Sequence, residues 1–401
     1  MHKTIAITGL GLTSSLGQGV ELNWTRLLDS KSGIEPLQTI DVGDYPIKDG
    51  GEDPPPPDGS CEEAAPEARH LVAVCQEALA RAGIERVTEP GRVGLSVGSS
   101  LAASTSSDTF FESFLESGPA EATYASLRGY YIEDQLAFVS DGLGIRGPSL
   151  LVSNACAAGA SAVARGGAWI RSGRSDIVVV AGYDAFSVFT FAGFGSLMAL
   201  SRESTRPFSS RRDGMKLGAG YAALILESLD HATARGKRPL AMLSGYGESS
   251  DAHHLTHPHP EGLGAALAMR RALATAKLEA SAIDAINCHG TATPSNDAAE
   301  AAAMKTVFGD RLADIPICAS KPAVGHTLGG AGAVESVISV LSLVDQKLPP
   351  TLSTDDVEEQ LGPLDVVRDP RPTPLRHVMS NSFGFGGSNA SLIFGESGAS
   401  R

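Results

Sequence analysis

"LLVSNACAAGASAVARGGAWIRSG" (150–173) runs from a branched apolar stretch into a run of alanine and glycine, with one cysteine at the junction. That order predicts a strand, a tight turn and a helix. Cys156 falls at or near the first helical turn. Unpaired N–H groups and the positive end of the helix dipole there favour thiolate over thiol. Ala155, Ala157, Ala158 and Gly159 are small enough to let the sheet, and a substrate chain, come close. A buried structural cysteine is the competing reading of such a residue.

The same alternation recurs on both sides of this junction. Strand-like runs lie at 4–10, 92–98, 149–155, 176–182, 222–228, 241–247, 285–290, 316–320 and 390–396, with helical patterns at 66–82, 156–172, 261–276, 297–307 and 331–345. Strands separated by helices predict an α/β fold with a largely parallel sheet and crossover helices. In both halves a strand delivers a reactive residue type to a Gly/Ala-rich turn before a helix. This places a division near residue 240, with 1–240 carrying the cysteine and 241–401 carrying two candidate histidines. "GGEDPPPPDGS" (50–60) reads as a stiff loop.

Composition narrows the function. With 42% hydrophobic and 19% charged residues, the 401-residue chain reads as globular. A formal net charge of −14 argues against a nucleic-acid binder or a basic membrane anchor. Five cysteines (61, 75, 156, 288, 318) lack CxxC spacing, which supports neither a disulfide framework nor a zinc site and suits a reducing compartment. No apolar run approaches the ~18 residues of a spanning helix, and the N-terminal segment has no long apolar core, so a soluble cytoplasmic protein is expected.

Three further segments bear chemistry. "NCHGTATPSND" (287–297) ends a strand with His289. "ASKPAVGHTLGGAGAVES" (319–336) sets Lys321 five residues before His326 and a glycine-rich turn. Neutral imidazoles beside a thiol suit a reaction in which negative charge develops on a carbonyl oxygen, because Nε2–H donates to it. "SNSFGFGGSNASLIFG" (380–395) reads as a glycine-rich loop entering a C-terminal strand. Its N–H groups are free to face a ligand, and Phe383 and Phe385 wall an apolar slot; an ordinary hairpin turn is the alternative.

Taken in order, "ITGLGLTSSLG" (7–17), "GIRGPSLLVSNACAAG" (144–159), "GFGSLMALS" (193–201), "RPFSSRRDG" (206–214) and the three segments above resemble, nearly end to end, the β-ketoacyl-acyl-carrier-protein synthases. These are the elongating branch of the thiolase-fold condensing enzymes. The resemblance implies two pseudo-duplicated βαβαβαββ halves in a layered α-β-α-β-α architecture. It implies a decarboxylative Claisen condensation in fatty-acid or specialised polyketide synthesis. In that scheme Cys156 carries the acyl group, and His289 and His326 stabilise the enolate formed from malonyl-carrier protein. Backbone N–H groups of Cys156 and Phe385 form the oxyanion hole, with Phe385 also the acyl-pocket gate. Lys321 orders the site, Glu335 and Asp297 are supporting carboxylates, and Thr291, Thr293 and Phe383 bind the pantetheine arm. No metal or cofactor is implied, since substrates arrive on the phosphopantetheine arm of acyl carrier protein. A homodimer, or a heterodimer with a related subunit, is expected.

Departures bear on the substrate. "GYDAF" (182–186) stands where many relatives carry GGAE, Ala323 stands where Met is usual, and 99–131 shows little family pattern although it should help line the acyl pocket and dimer interface. These changes suit a specialised polyene or polyketide pathway. Other readings are weaker. A degradative thiolase needs a second active cysteine, and Cys288, adjacent to His289 on a strand, should face the opposite side. A starter-type synthase would carry Asn in place of the second histidine. A non-catalytic chain-length-factor subunit generally lacks the nucleophile. "GLGLTS" (9–14) has Ser14 in the place of the third glycine of a dinucleotide fingerprint. "DAHHLTHPHP" (251–260) reads as a loop near the site mouth rather than a metal centre. Arg69, Arg128, Arg206 and Arg211 are candidates for docking the carrier protein.

Overall fold

The computed structural model describes residues 3–57, 64–119, 124, 127 and 131–398. The first half contributes β1 (Ile5–Ser14), β2 (Val93–Gly98), β3 (Ser149–Val152), β4 (Ile177–Asp184) and β5 (Gly220–Ser228). The second contributes β6 (Ala241–Ser250), β7 (Ala285–Asn287), β8 (Pro316–Cys318), β9 (His377–Gly384) and β10 (Ser388–Glu396). Across the sheet they lie in the order β8-β7-β9-β10-β6-β1-β5-β4-β2-β3. Read outward from the centre, each half places its strands first, fifth, fourth, second, third. One topology is therefore built twice. The central strands of the two halves pair at Ala6↔Met242 and Ile7↔Ala241.

The sheet is mixed, not largely parallel. Parallel pairing lies toward the edges, at β2–β3, β2–β4, β7–β8, β7–β9 and between β8 and the short strand Asp365–Val366, while the middle of the sheet is antiparallel. The last two strands of each half pair antiparallel, β9 with β10 through a short turn and β4 with β5 through the segment 185–219 that holds a helix at Val188–Ser196. The 380–395 segment accordingly folds as a hairpin, with β9 antiparallel to β10 around a turn at Phe385–Gly387.

The helices that matter for the site are α1 (Pro66–Ala82), α2 (Ala158–Arg171), α3 (Val188–Ser196), α4 (Leu263–Ala276), α5 (Pro294–Phe308) and α6 (Ala331–Asp345). α1 covers β1 and β5 on one outside face, and α4 covers β6 and β10 on the other. Between the sheets lie α2 and α6, packed on each other, which completes the α-β-α-β-α layering. With both faces covered, β1 and β5 are buried at every residue, Thr8, Thr13 and Ser14 included. The stretch Leu328–Asp345 is apolar and long enough by composition to cross a membrane, but 83% of it is buried inside the protein.

Small residues set the distance between α2 and α6. A Cβ at Gly332 would lie 2.3 Å from the Ala160 nitrogen, and one at Gly159 would lie 2.7 Å from the Ala333 nitrogen. Ala157, Ala158 and Gly159 are buried. The smallness of Gly159 and Ala160 serves this backbone-to-backbone crossing, not, as the sequence suggested, space for a substrate chain.

Candidate active site

Cys156 sits two residues ahead of α2, reached through Ala155, whose φ of 54° is left-handed. That conformation costs a non-glycine residue roughly 1–2 kcal/mol, and it turns the thiol away from β3 toward the other half. The end of β9 seals the turn. A Cβ on Gly384 would stand 3.0 Å from the Cys156 nitrogen, so only glycine lets the strand come so near. Cys156 is 7% exposed, at the wall of a cavity of about 220 Å³.

Its Sγ lies 3.1 Å from His326 Nε2. Burial pushes the thiol pKa up to about 12, against the pull of the Lys321 charge and of the N–H groups of Phe385 and Cys156. The expectation of a thiolate is thus corrected. Loss of solvent outweighs the pull of those groups and holds the resting sulfur toward the protonated form. Burial, reinforced by the Lys321 charge, also holds His289 and His326 far below the ordinary histidine value. Both rings are neutral.

His289 comes from the loop after β7, and its ring stands 5.3 Å from that of His326, nearly perpendicular to it. Lys321 fixes its tautomer. Nζ donates to the His289 carbonyl oxygen at 2.6 Å and lies 3.3 Å from His289 Nδ1. Its remaining partner is Glu335 on α6, in a close ion pair buried on both sides. An ammonium offers only donors, so Nδ1 is the accepting nitrogen and Nε2 carries the hydrogen. Burial raises Glu335 to about 7, with Lys321 opposing the rise. Phe383 meets the His289 ring edge-on at 5.7 Å. His326 Nδ1, in contrast, has no hydrogen-bond partner among the described residues.

One pocket thus gathers a cysteine and two neutral imidazoles from both halves of the chain. The β-ketoacyl synthase N-terminal domain matches residues 2–232 and the β-ketoacyl synthase C-terminal domain matches 240–355. The chain belongs to the β-ketoacyl synthase family. It is 33% identical to 3-oxoacyl-[acyl-carrier-protein] synthase 2 of Vibrio harveyi over 98% of both chains. Among solved structures, the ishigamide ketosynthase/chain length factor superposes with a TM-score of 0.93 at 32% identity, covering 99% of this chain and 100% of that one. A type II polyketide ketosynthase solved with its acyl-carrier protein (AntDE:AntF) gives 0.92 at 25% identity, over 99% and 100% of the two chains.

Around this ketosynthase site the remaining predicted residues divide. Thr291, Thr293, Phe383 and Phe385 line the cavity, with the two threonine hydroxyls 3.0 Å apart. Phe385 stacks on Phe194 of α3 with ring centroids 5.8 Å apart. Asp297 stands behind the wall, accepting from Ala292 N at 3.1 Å and Phe208 N at 2.7 Å. It thereby ties the histidine loop to the 205–213 segment. Cys288 faces away, with its sulfur 3.9 Å from that of Met304 in a separate core. Arg206 pairs with Glu203 at 2.7 Å, Arg211 with Asp355 at 2.9 Å, and Arg69 donates to Pro57 O at 2.9 Å. Arg128 lies outside the described residues.

Two carboxylates escaped the sequence reading. Glu300 accepts from His289 N at 2.8 Å and Gly290 N at 2.9 Å, pinning the histidine's own backbone. It stands one turn after Asp297 on α5, so the pair share a face. That i, i+3 spacing, on a helix beginning just after His289, was the available signal. Asp184 accepts from Ser99 Oγ at 2.6 Å, Leu101 N at 3.0 Å and, across the halves, Gly329 N at 2.7 Å. Burial raises it to about 6. An acid closing the apolar run "IVVVAGYD" was its only trace in the sequence.

Proposed function

We propose that this chain condenses an acyl group held on Cys156 with malonyl-acyl-carrier protein, releasing carbon dioxide and giving 3-oxoacyl-carrier protein. The observation that carries the reading is the 3.1 Å approach of Cys156 Sγ to His326 Nε2, with His289 held by Lys321 across the same cavity. In the first half-reaction the thiol proton moves to His326 Nε2 as sulfur attacks the acyl thioester. N–H groups of Cys156 and Phe385 receive the oxyanion. The tetrahedral intermediate expels the pantetheine sulfur, which takes the proton back from His326.

In the second half-reaction malonyl-carrier protein presents its thioester oxygen to the Nε2–H of His289. His326, whose Nδ1 lacks a partner among the described residues, is free to present its own Nε2–H beside it. The carbon–carboxylate bond breaks, its electron pair flows into the enolate, and carbon dioxide leaves. The enolate carbon then attacks the acyl-cysteine carbonyl and displaces the Cys156 sulfur, which takes up from solvent the one proton that the overall condensation consumes. Lys321 and Glu335 act as positioning residues through His289. Partners are an acyl carrier protein and a second ketosynthase-like subunit, identical or related. A purely non-catalytic partner role is disfavoured by the intact Cys156–His326 contact.

Intact-mass analysis after incubation with a panel of acyl-carrier proteins tests this. An acyl adduct on wild type but not on Cys156→Ala is expected, with carbon dioxide release depending on His289 and His326. Condensation by Cys156→Ala would overturn it.

A further inference from the structure

The rim of the cavity is apolar. Met198 is 88% exposed, Leu255 79% and Leu197 51%. Leu197 and Met198 follow α3 and line the cavity, and Leu255 immediately precedes its wall residues Thr256, His257 and Pro258. These side chains are held out by the backbone. Met198 keeps a left-handed φ of 54°, its N–H bonded to Gly195 O at 3.0 Å. The Leu255 carbonyl accepts from Gly386 N at 2.7 Å, tying its loop to the turn that carries Phe385. A soluble protein that fixes large apolar side chains outward around its site entrance marks a contact surface.

Charge does not offer an alternative at the rim. The cavity lining contains Asp213 and Asp251 but neither lysine nor arginine. On the same side, Arg206 is neutralised by Glu203 and Arg211 by Asp355. A chain of net charge −14 has no long-range pull on an acidic partner.

We infer that Leu197, Met198 and Leu255 form an apolar collar on which the acyl carrier protein seats, by apolar side chains around the attachment point of its arm. The inference rests on the proposed reaction, because the arm must pass this rim to reach Cys156. Recognition at the collar is by burial rather than ion pairing, so it is largely insensitive to salt.

The test is steady-state condensation by Leu255→Asp and Met198→Asp, with Arg202→Glu, at an exposed arginine four residues beyond Met198, as the electrostatic control. Each is assayed with malonyl-carrier protein and with malonyl-N-acetylcysteamine, a short thioester with no carrier, at low and high salt. Both collar variants are expected to raise KM for the carrier substrate by about tenfold or more, and Leu255→Asp to do so at unchanged kcat. Leu255→Asp should keep wild-type turnover on the short thioester, and wild-type KM should move less than about twofold with salt. A steep salt dependence with a large effect of Arg202→Glu, and none from the collar variants, would overturn the inference. So would collar variants that halve the mass in solution, which would make the collar a subunit contact. Loss of wild-type activity on both substrates would instead strike the proposed reaction itself.

Discussion

Replacing Lys321 by methionine probes the buried pair on which the geometry of His289 depends. Glu335 has its folded-state pKa raised to about 7 from an ordinary 4.5. The stability it contributes is thus fully present below pH 4.5 and is lost as pH rises through about 7, above which its contribution is flat. Without the ammonium the carboxyl stays protonated well above that point, and the variant keeps losing stability at about 1.4 kcal/mol per pH unit. Below pH 7 the two proteins should differ by a constant amount, roughly 1–3 kcal/mol for the lost lysine hydrogen bonds. From pH 7 to about pH 9 the gap should widen by about 3 kcal/mol. Urea unfolding followed by the fluorescence of Trp24 and Trp169 across this range measures it. Adding Glu335→Gln should remove the widening while leaving the constant part. Parallel curves for wild type and Lys321→Met above pH 7, or a double variant that still diverges, would refute this account of the pair.

Three other outcomes follow from the same geometry. In the native protein iodoacetamide should modify Cys156 ahead of the buried Cys75, Cys288 and Cys318, and the rate should climb about tenfold per pH unit through pH 9 because the resting thiol is neutral; a plateau below pH 8 would mean an ionised sulfur. Gly332→Ala drives a methyl into the Ala160 backbone and should cost about 1–3 kcal/mol, with slower acyl loading as α2 and α6 part; wild-type melting and loading would show that the crossing is not tight. Asp184→Ala strands the buried donors Ser99 Oγ, Leu101 N and Gly329 N and should lower stability by roughly 3 kcal/mol or more, read by calorimetry; a loss under 1 kcal/mol would contradict its role as the tie between halves.

Much of this protein was legible in its order of residues. Strand and helix follow from runs of branched apolar residues alternating with amphipathic ones, and these are local preferences that survive in any context. The side chains that the fold brings together were equally visible, because Cys156, His289, Lys321 and His326 each stand at the junction of a strand-like run with a glycine-rich turn. Tertiary structure decided what depends on distant neighbours. Strand direction in the middle of the sheet depends on which edges meet, so parallel pairing was overestimated. The small residues after Cys156 looked like room for substrate until Gly332 arrived against them from 172 residues away. The protonation state of the sulfur is set by lost solvent rather than by its place before a helix, and burial exists only once the halves close. The ties made by Glu300 and Asp184 run from a side chain to backbone N–H groups. Every residue except proline has one, so no residue type in the sequence announces which of them a buried carboxylate will bind.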